Sequence, residues 1–302
     1  MSLVDFLIIG VPKAGTTSLY AYLDQHPNIY TSPNKEPHYF AFSETPPVYN
    51  GPGDDNAWLS QRSVYDLDAY RTLFSEATDN QVKGEASVMY LHLSESRDRI
   101  AALVPDVKLV VILRNPIERA YAHYRHMRRD GREWQSFEQA LKLEDSRKEH
   151  GWSPVWHYRS VGYYYQQLSY FLERFDRAQL KVCLFEDLVA SPQAVLADIF
   201  SFIGVDSRCA IDTSKRHNAS PAGRGNRALH DFLTQPNRFK QTFKKIIPPQ
   251  LRKPLSLKVY RLNQKKLPPL SNDTRRLLVE AYRSDIQKLE SLIDRDLSNW
   301  LA

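Results

Sequence analysis

Cysteine is nearly absent: the 302 residues hold two, Cys183 and Cys209. Two cysteines build no disulfide framework, so a reducing compartment is expected. No stretch reaches the roughly 18 uncharged apolar residues of a membrane span. The opening MSLVDFLIIGVPKAG has no basic leader and only a short apolar run, which argues against a signal peptide. A cytoplasmic location is the expectation. No Cys/His spacing suggests a metal site, and no internal repeat is seen. What remains is an ordinary globular balance of 42% hydrophobic and 25% charged residues. That excludes a coiled-coil rod, a collagen-like chain and a wholly disordered tail. It is enough chain for a full core in one or two domains.

Acidic residues are also missing from one long stretch. Between Arg238 and Lys266 there are ten basic residues and no Asp or Glu. The net charge of the whole chain is +6, so the remainder is −4. Phe239, Phe243, Ile246, Ile247, Leu251 and Leu255 are among the apolar residues interleaved with these charges. Such a block suits peripheral contact with an anionic membrane or an acidic acceptor. An insert packing its apolar residues on the sheet is the other reading. Nucleic acid is not the partner to infer, because the charge is local.

Short apolar runs alternate with helical periods. Residues 5–9, 107–113 and 180–185 read as strands covered on both faces, as in a parallel sheet. Helices are expected over 16–25 and 117–128, and from Ser191-Pro192 to Gly204. Leu168, Phe171, Leu172 and Phe175 share a helical face, and Leu278, Tyr282, Ile286, Leu289 and Ile293 repeat at helical spacing. The pattern predicts an α/β fold, an open parallel sheet flanked by helices. One domain over 1–302 is expected, with a basic insert at about 237–268 and a C-terminal helix at about 272–294. Residues 45–55 and 215–226 read as loops.

The first strand runs straight into Gly10-Val11-Pro12-Lys13-Ala14-Gly15-Thr16-Thr17-Ser18 and then a helix. A strand–loop–helix of small residues aims several backbone N–H groups at one point, and the helix dipole adds positive charge there. Thr16, Thr17 and Ser18 add hydroxyls. A Walker A loop would put lysine after the second glycine. Here Thr16 stands there and Lys13 lies inside the loop. A P-loop nucleotide kinase or triphosphatase is therefore an alternative, not the leading reading.

Pro12-Lys13-Ala14-Gly15-Thr16-Thr17-Ser18 resembles the 5′-phosphosulfate loop of sulfotransferases that use 3′-phosphoadenosine 5′-phosphosulfate (PAPS). Arg114-Asn115-Pro116-Ile117-Glu118-Arg119-Ala120-Tyr121-Ala122-His123-Tyr124 is similar to the family's 3′-phosphate segment. Glu186-Asp187-Leu188 resembles a recurrent family element, and Asp296-Leu297-Ser298-Asn299-Trp300 an ending frequent in bacterial members. The resemblance spans nearly the whole chain. It implies a P-loop-like sulfotransferase fold and a PAPS donor, with no metal required. Two anion sites at strand ends fit a ligand with a phosphosulfate and a 3′-phosphate, and Arg114 offers a bidentate fork. The family's serine is replaced by Ala122, so a 3′-phosphate donor is missing, and loss of catalysis in a nucleotide-binding module is a third alternative. Lys215, Arg216 and Asn218 resemble the family's late basic loop, with Arg224 and Arg227 competing for that role.

Asn34-Lys35-Glu36-Pro37-His38-Tyr39-Phe40 is similar to the K-E-x-H-F-F segment of the glycan and heparan-type branch. That resemblance implies Glu36 as general base, with His38 orienting it or serving in its place, and Lys35 near the sulfonate. Lys13 then neutralises charge on the leaving oxygen. Gly84-Glu85-Ala86-Ser87-Val88-Met89-Tyr90 resembles a substrate-side segment, making Glu85, Ser87 and Tyr90 candidates for acceptor contact. His92, His126 and His157 read as surface or core residues, and His123 is set aside because it points away from the position of Ala122. Tyr163-Tyr164-Tyr165 reads as helix packing, or as a wall of the acceptor site. A glycan, a lipid and a small-molecule alcohol or amine remain open as acceptor.

Overall fold

The computed structural model describes residues 2–215, 223–224, 264–265 and 267–302. Five strands form one sheet: β1 (Phe6–Gly10), β2 (Ile29–Thr31), β3 (Val82–Ala86), β4 (Lys108–Leu113) and β5 (Leu180–Leu184). All pairings are parallel and the order is β2-β3-β1-β4-β5. Every residue of β1, and all of β4 after Lys108, is buried. Successive side chains on a strand point to opposite faces, so both faces of the sheet are covered. The expected α/β class holds. β2 and β3 were not expected, because β2 has three residues and the run of β3 is broken by Lys83 and Glu85.

The connections set the site. β1 leads through residues 11–15 into α1 (Thr16–Leu23), which returns to β2 on one side. Four short helices lie where the sequence pattern predicts none: α2 (Tyr39–Phe42), α3 (Asp55–Arg62), α4 (Leu67–Thr72) and α5 (Ser94–Leu103). β4 leads into α6 (Pro116–Arg129) and on to α7 (Phe137–Glu149), α8 (Tyr164–Leu172) and β5 on the other side. The connections after β1 and β4 therefore run toward opposite edges of the sheet, and open parallel sheets bind ligands at the carboxyl ends beside such a point.

α6 starts sharply. Asn115 Oδ1 accepts from the N–H groups of Ile117 (3.0 Å) and Glu118 (3.3 Å), and Pro116 occupies the first turn, where its missing N–H costs nothing. α9 (Phe185–Ala190) follows β5 directly, and α10 (Pro192–Ile203) ends at Gly204 as expected. A two-residue antiparallel pair, β6 (Gly223–Arg224) with β7 (Gln264–Lys265), precedes α11 (Asn272–Ile293). In α11, Leu278, Tyr282, Ile286 and Leu289 are fully buried, as their spacing predicted. Tyr282 stacks edge-on with Tyr163 at 5.1 Å, so the tyrosine run packs between helices instead of walling a site. Among the described residues no helix is long and apolar enough to cross a membrane. Apart from Gln264 and Lys265, the basic stretch 238–266 lies outside the described residues.

Candidate active site

A cavity of about 530 Å³ opens at the carboxyl ends of the central strands. Lys13, Thr16, Thr17, Lys35, Glu36 and His38 all line it. Sequence separates the two groups by about twenty residues; the sheet brings them together. The segment 32–38 runs along the end of β3, where Ser32 N–H donates to Gly84 O (2.9 Å) and Glu36 N–H to Ala86 O (3.0 Å).

The loop after β1 is built as an anion cradle. Gly15 caps α1 in the left-handed region (φ 88°) and has no side chain to satisfy the first amides of the helix. A Cβ on Gly15 would meet the Phe185 ring at 3.0 Å. Ala14 is fully buried and packs; Ser18 lies in the first turn of α1. Lys13 itself has φ 71°, and Glu36 (67°) and His38 (52°) are also left-handed. Each such non-glycine conformation costs about 1–3 kcal/mol and persists only where surroundings impose it.

Arg114 holds the loop from the side of β4. Its Nη1 donates to Lys13 O (3.0 Å), and its guanidinium lies 4.8 Å over the Phe185 ring. Phe185 and Leu188 of α9 back Gly15, while Glu186 Oε1 accepts from Asn115 N–H (3.3 Å). The Glu186-Asp187-Leu188 element thus braces both loops. Tyr164 O–H donates to Arg114 O (2.9 Å) and Trp300 packs beside Tyr164 at 6.2 Å, which ties in the C-terminal segment. Arg114 is half-buried and does not line the cavity with Lys13. Lys215 is exposed, and its carbonyl accepts from Tyr22 O–H (3.1 Å). Arg216, Asn218 and Arg227 lie outside the described residues, as does the side chain of Arg224.

Electrostatics distinguish the ionisable groups. Burial pushes the Glu36 carboxyl up, but Lys35 (Nζ to Oε1, 2.8 Å) and His38 (Nε2 to Oε2, 3.8 Å) pull it below its ordinary value. Glu36 is therefore a carboxylate at neutral pH. Burial lowers Lys13 to about 8, helped by Arg129. Burial lowers His38 to about 4 despite Glu36, so its ring is neutral. Neither ring nitrogen of His38 has a hydrogen-bond partner among the described residues.

Three expectations are corrected. Glu85, Ser87 and Tyr90 are fully buried and do not line the cavity. They sit beneath its floor: Glu85 on β3, and Ser87 and Tyr90 in the turn that follows it, point into the core, while Val88 and Met89 reach the cavity. His92 and His126, read as surface or core residues, line the cavity, and so does His123, which had been set aside. His123 and His126 lie one turn apart on the face of α6 that meets the cavity, and this spacing was visible in the sequence. His92 Nε2 is 2.9 Å from His157 Nδ1, and burial lowers both, to about 3 and about 4. Trp58, Arg62, Arg129 and Asp130 complete the polar and aromatic rim, with no sequence motif to mark them.

Comparison with known proteins agrees with this geometry. Residues 5–208 match the family model described as Sulfotransferase family. The chain is 30% identical over 202 residues to human heparan sulfate glucosamine 3-O-sulfotransferase 6, covering 66% of this chain and 52% of that protein. It is 27% identical over 318 residues to mouse bifunctional heparan sulfate N-deacetylase/N-sulfotransferase 3, covering 99% of this chain and 31% of that one. The chain thus spans about half or less of the curated relatives it matches. A crystal structure of a sulfotransferase from Alicyclobacillus acidocaldarius is similar over 99% of both chains, with 33% identity and a TM-score of 0.76.

Proposed function

Because the chain belongs to the sulfotransferase family, we propose that it transfers a sulfonate group from PAPS to a hydroxyl or amine of an acceptor, with Glu36 as general base. The observation that carries this is the convergence of Lys13 and Glu36 on one cavity beside the cradle that opens α1. The cradle fits such a donor: α1 opens beside the cavity with no side chain capping its first amides, so these amides and the helix dipole are free to take an anion.

The resemblance of the motifs supports the following roles. The donor supplies an activated sulfonate. The carboxylate of Glu36 takes the proton from the attacking oxygen or nitrogen as that atom bonds to sulfur. Lys13, inside the loop, places its charge where charge grows on the leaving oxygen. Thr16, Thr17 and Ser18 hold the 5′-phosphate, and Lys35 faces the sulfonate while holding Glu36. The motif resemblance, not contact with the cavity, supports Arg114 for the 3′-phosphate, with Lys215, Arg216 and Asn218 as further contacts. Neutral His38 offers an N–H to the reacting groups without competing as a cation.

Trp58, Val88, Met89, Val155 and Val161 add apolar surface to the lining of the cavity. Arg62 stacks on Trp58 at 5.0 Å, and Arg129 Nε pairs with Asp130 at 2.7 Å. Lys35, Arg62 and Arg129 line the same cavity, so the lining suits an acceptor that presents both apolar surface and polar or anionic groups, and an alcohol, a lipid and a glycan all belong in the test.

The test combines PAPS, a panel of alcohols and oligosaccharides, and mass spectrometry for sulfonated product. Glu36→Gln should bind adenosine 3′,5′-bisphosphate as the wild type does and lose about 10²–10⁴-fold in kcat. Nucleotide binding without transfer to any acceptor would point to an inactive binding module. Wild-type kcat in Glu36→Gln would remove the base assignment.

A further inference from the structure

The left-handed backbone at Glu36 and His38 needs an anchor that the cavity itself does not supply. One anchor is the Glu36 N–H to Ala86 O bond. The other is a chain of three groups beneath the floor. His38 N–H donates to Ser87 Oγ (3.1 Å), and Ser87 Oγ–H donates to Glu85 Oε2 (2.9 Å). Tyr70 O–H donates to Glu85 Oε1 (3.4 Å), and Tyr90 Oη accepts from Phe40 N–H (3.3 Å). Glu85 and Ser87 have no exposed surface at all.

The direction of these bonds matters. A hydroxyl has one proton. When Ser87 gives it to Glu85, its lone pairs are left for the His38 amide. A buried carboxyl that touches neither cavity nor solvent is expensive to keep unless it does something there. Here it dictates which way the serine points.

We propose that Glu85 and Ser87 are positioning residues: the Glu85 carboxyl orients the Ser87 hydroxyl, which holds the His38 amide and thereby sets Glu36 and His38 in the cavity. This rests on the proposed sulfonate transfer for its kinetic consequence, but not for its structural one. Burial raises the Glu85 carboxyl to about 7, yet either protonation state accepts from Ser87.

The experiment uses the full chain with Glu85→Met, Glu85→Gln and Ser87→Ala. Glutamine keeps a carbonyl acceptor for Ser87; methionine does not. Glu85→Met and Ser87→Ala should lower kcat by about tenfold or more, by the loss of base positioning. KM for the acceptor and affinity for adenosine 3′,5′-bisphosphate should stay within about twofold, and Glu85→Gln should restore kcat. Hydrogen exchange read on the peptide spanning residues 36–40 should quicken in Glu85→Met and Ser87→Ala and recover in Glu85→Gln. This readout needs no acceptor, so it stands even if sulfonate transfer fails. Ser87→Ala removes little volume and carries the test if Glu85→Met does not fold. Unchanged exchange in Ser87→Ala would overturn the proposal. So would Glu85→Gln being as damaged as Glu85→Met, or a parallel loss of nucleotide affinity in every variant.

Discussion

Lys13 carries a charge that its surroundings resist. Burial, then Arg129, lowers it to about 8, so near that pH half the free protein lacks the cation that the cradle needs. A bound anion favours the charged form and raises the value again. The protonated protein therefore binds the nucleotide more tightly. Affinity for adenosine 3′,5′-bisphosphate should fall as pH rises from about 7 to about 9, with proton uptake on binding near pH 8. Calorimetry in buffers of different ionisation enthalpy reads both effects, and Lys13→Met should abolish the uptake. Lys13 was legible in the sequence because a phosphate loop is a local structure: strand, turn and helix start are contiguous. His123 was not. Whether a helical residue meets a cavity depends on how the helix docks, and only the packing of α6 against the strand ends reveals it.

At the scale of elements, β1, β4 and β5 announce themselves as unbroken apolar runs, whereas β3 does not. Its Glu85 breaks the pattern, and it is tolerated because Ser87, Tyr70 and Tyr90, from outside the strand, satisfy the carboxyl. Gly84 is the tightest point of this strand. A Cβ there would fall 2.0 Å from the Phe6 ring of β1, which is fully buried and has nowhere to move. Gly84→Ala should therefore destabilise the protein by about 1–3 kcal/mol or more through overpacking. A lowered denaturant midpoint with unchanged slope would show it; an unchanged midpoint would mean that β1 and β3 separate without cost. Because β3 carries Glu36 through Ala86 O, the same variant should also reduce kcat.

Across the whole molecule, the C-terminal segment closes the structure that the first two hundred residues begin. Tyr282 of α11 donates to Arg159 O (2.7 Å), Arg275 pairs with Glu118 of α6, and Trp300 is buried beside Tyr164. Trp300→Ala should cost about 3–5 kcal/mol. It should also weaken nucleotide binding, since Tyr164 bonds the carbonyl of Arg114; thermal melts with and without adenosine 3′,5′-bisphosphate separate the two effects. The charge of the molecule is equally uneven. If the +10 stretch from Arg238 to Lys266 grips an acidic acceptor, KM for that acceptor rises with salt more steeply than nucleotide affinity falls, because exposed charges are screened more than buried ones. A salt-independent KM would assign the block another role.

The sequence by itself determined what local geometry determines: the apolar strands β1, β4 and β5, the amide cradle after β1, the helix starts, and the separate placing of Lys13 and Arg114 after strands. Each depends on residues a few positions apart. Tertiary structure alone decided which of these meet. It brought Glu36 beside Lys13 by laying residues 32–38 along β3, and it turned Glu85 and Ser87 under the floor instead of toward the acceptor. It also added the histidines of α6 to the wall. The physical reason is that side-chain direction at a sheet's end follows register and helix docking, which are fixed by contacts between residues far apart in the chain.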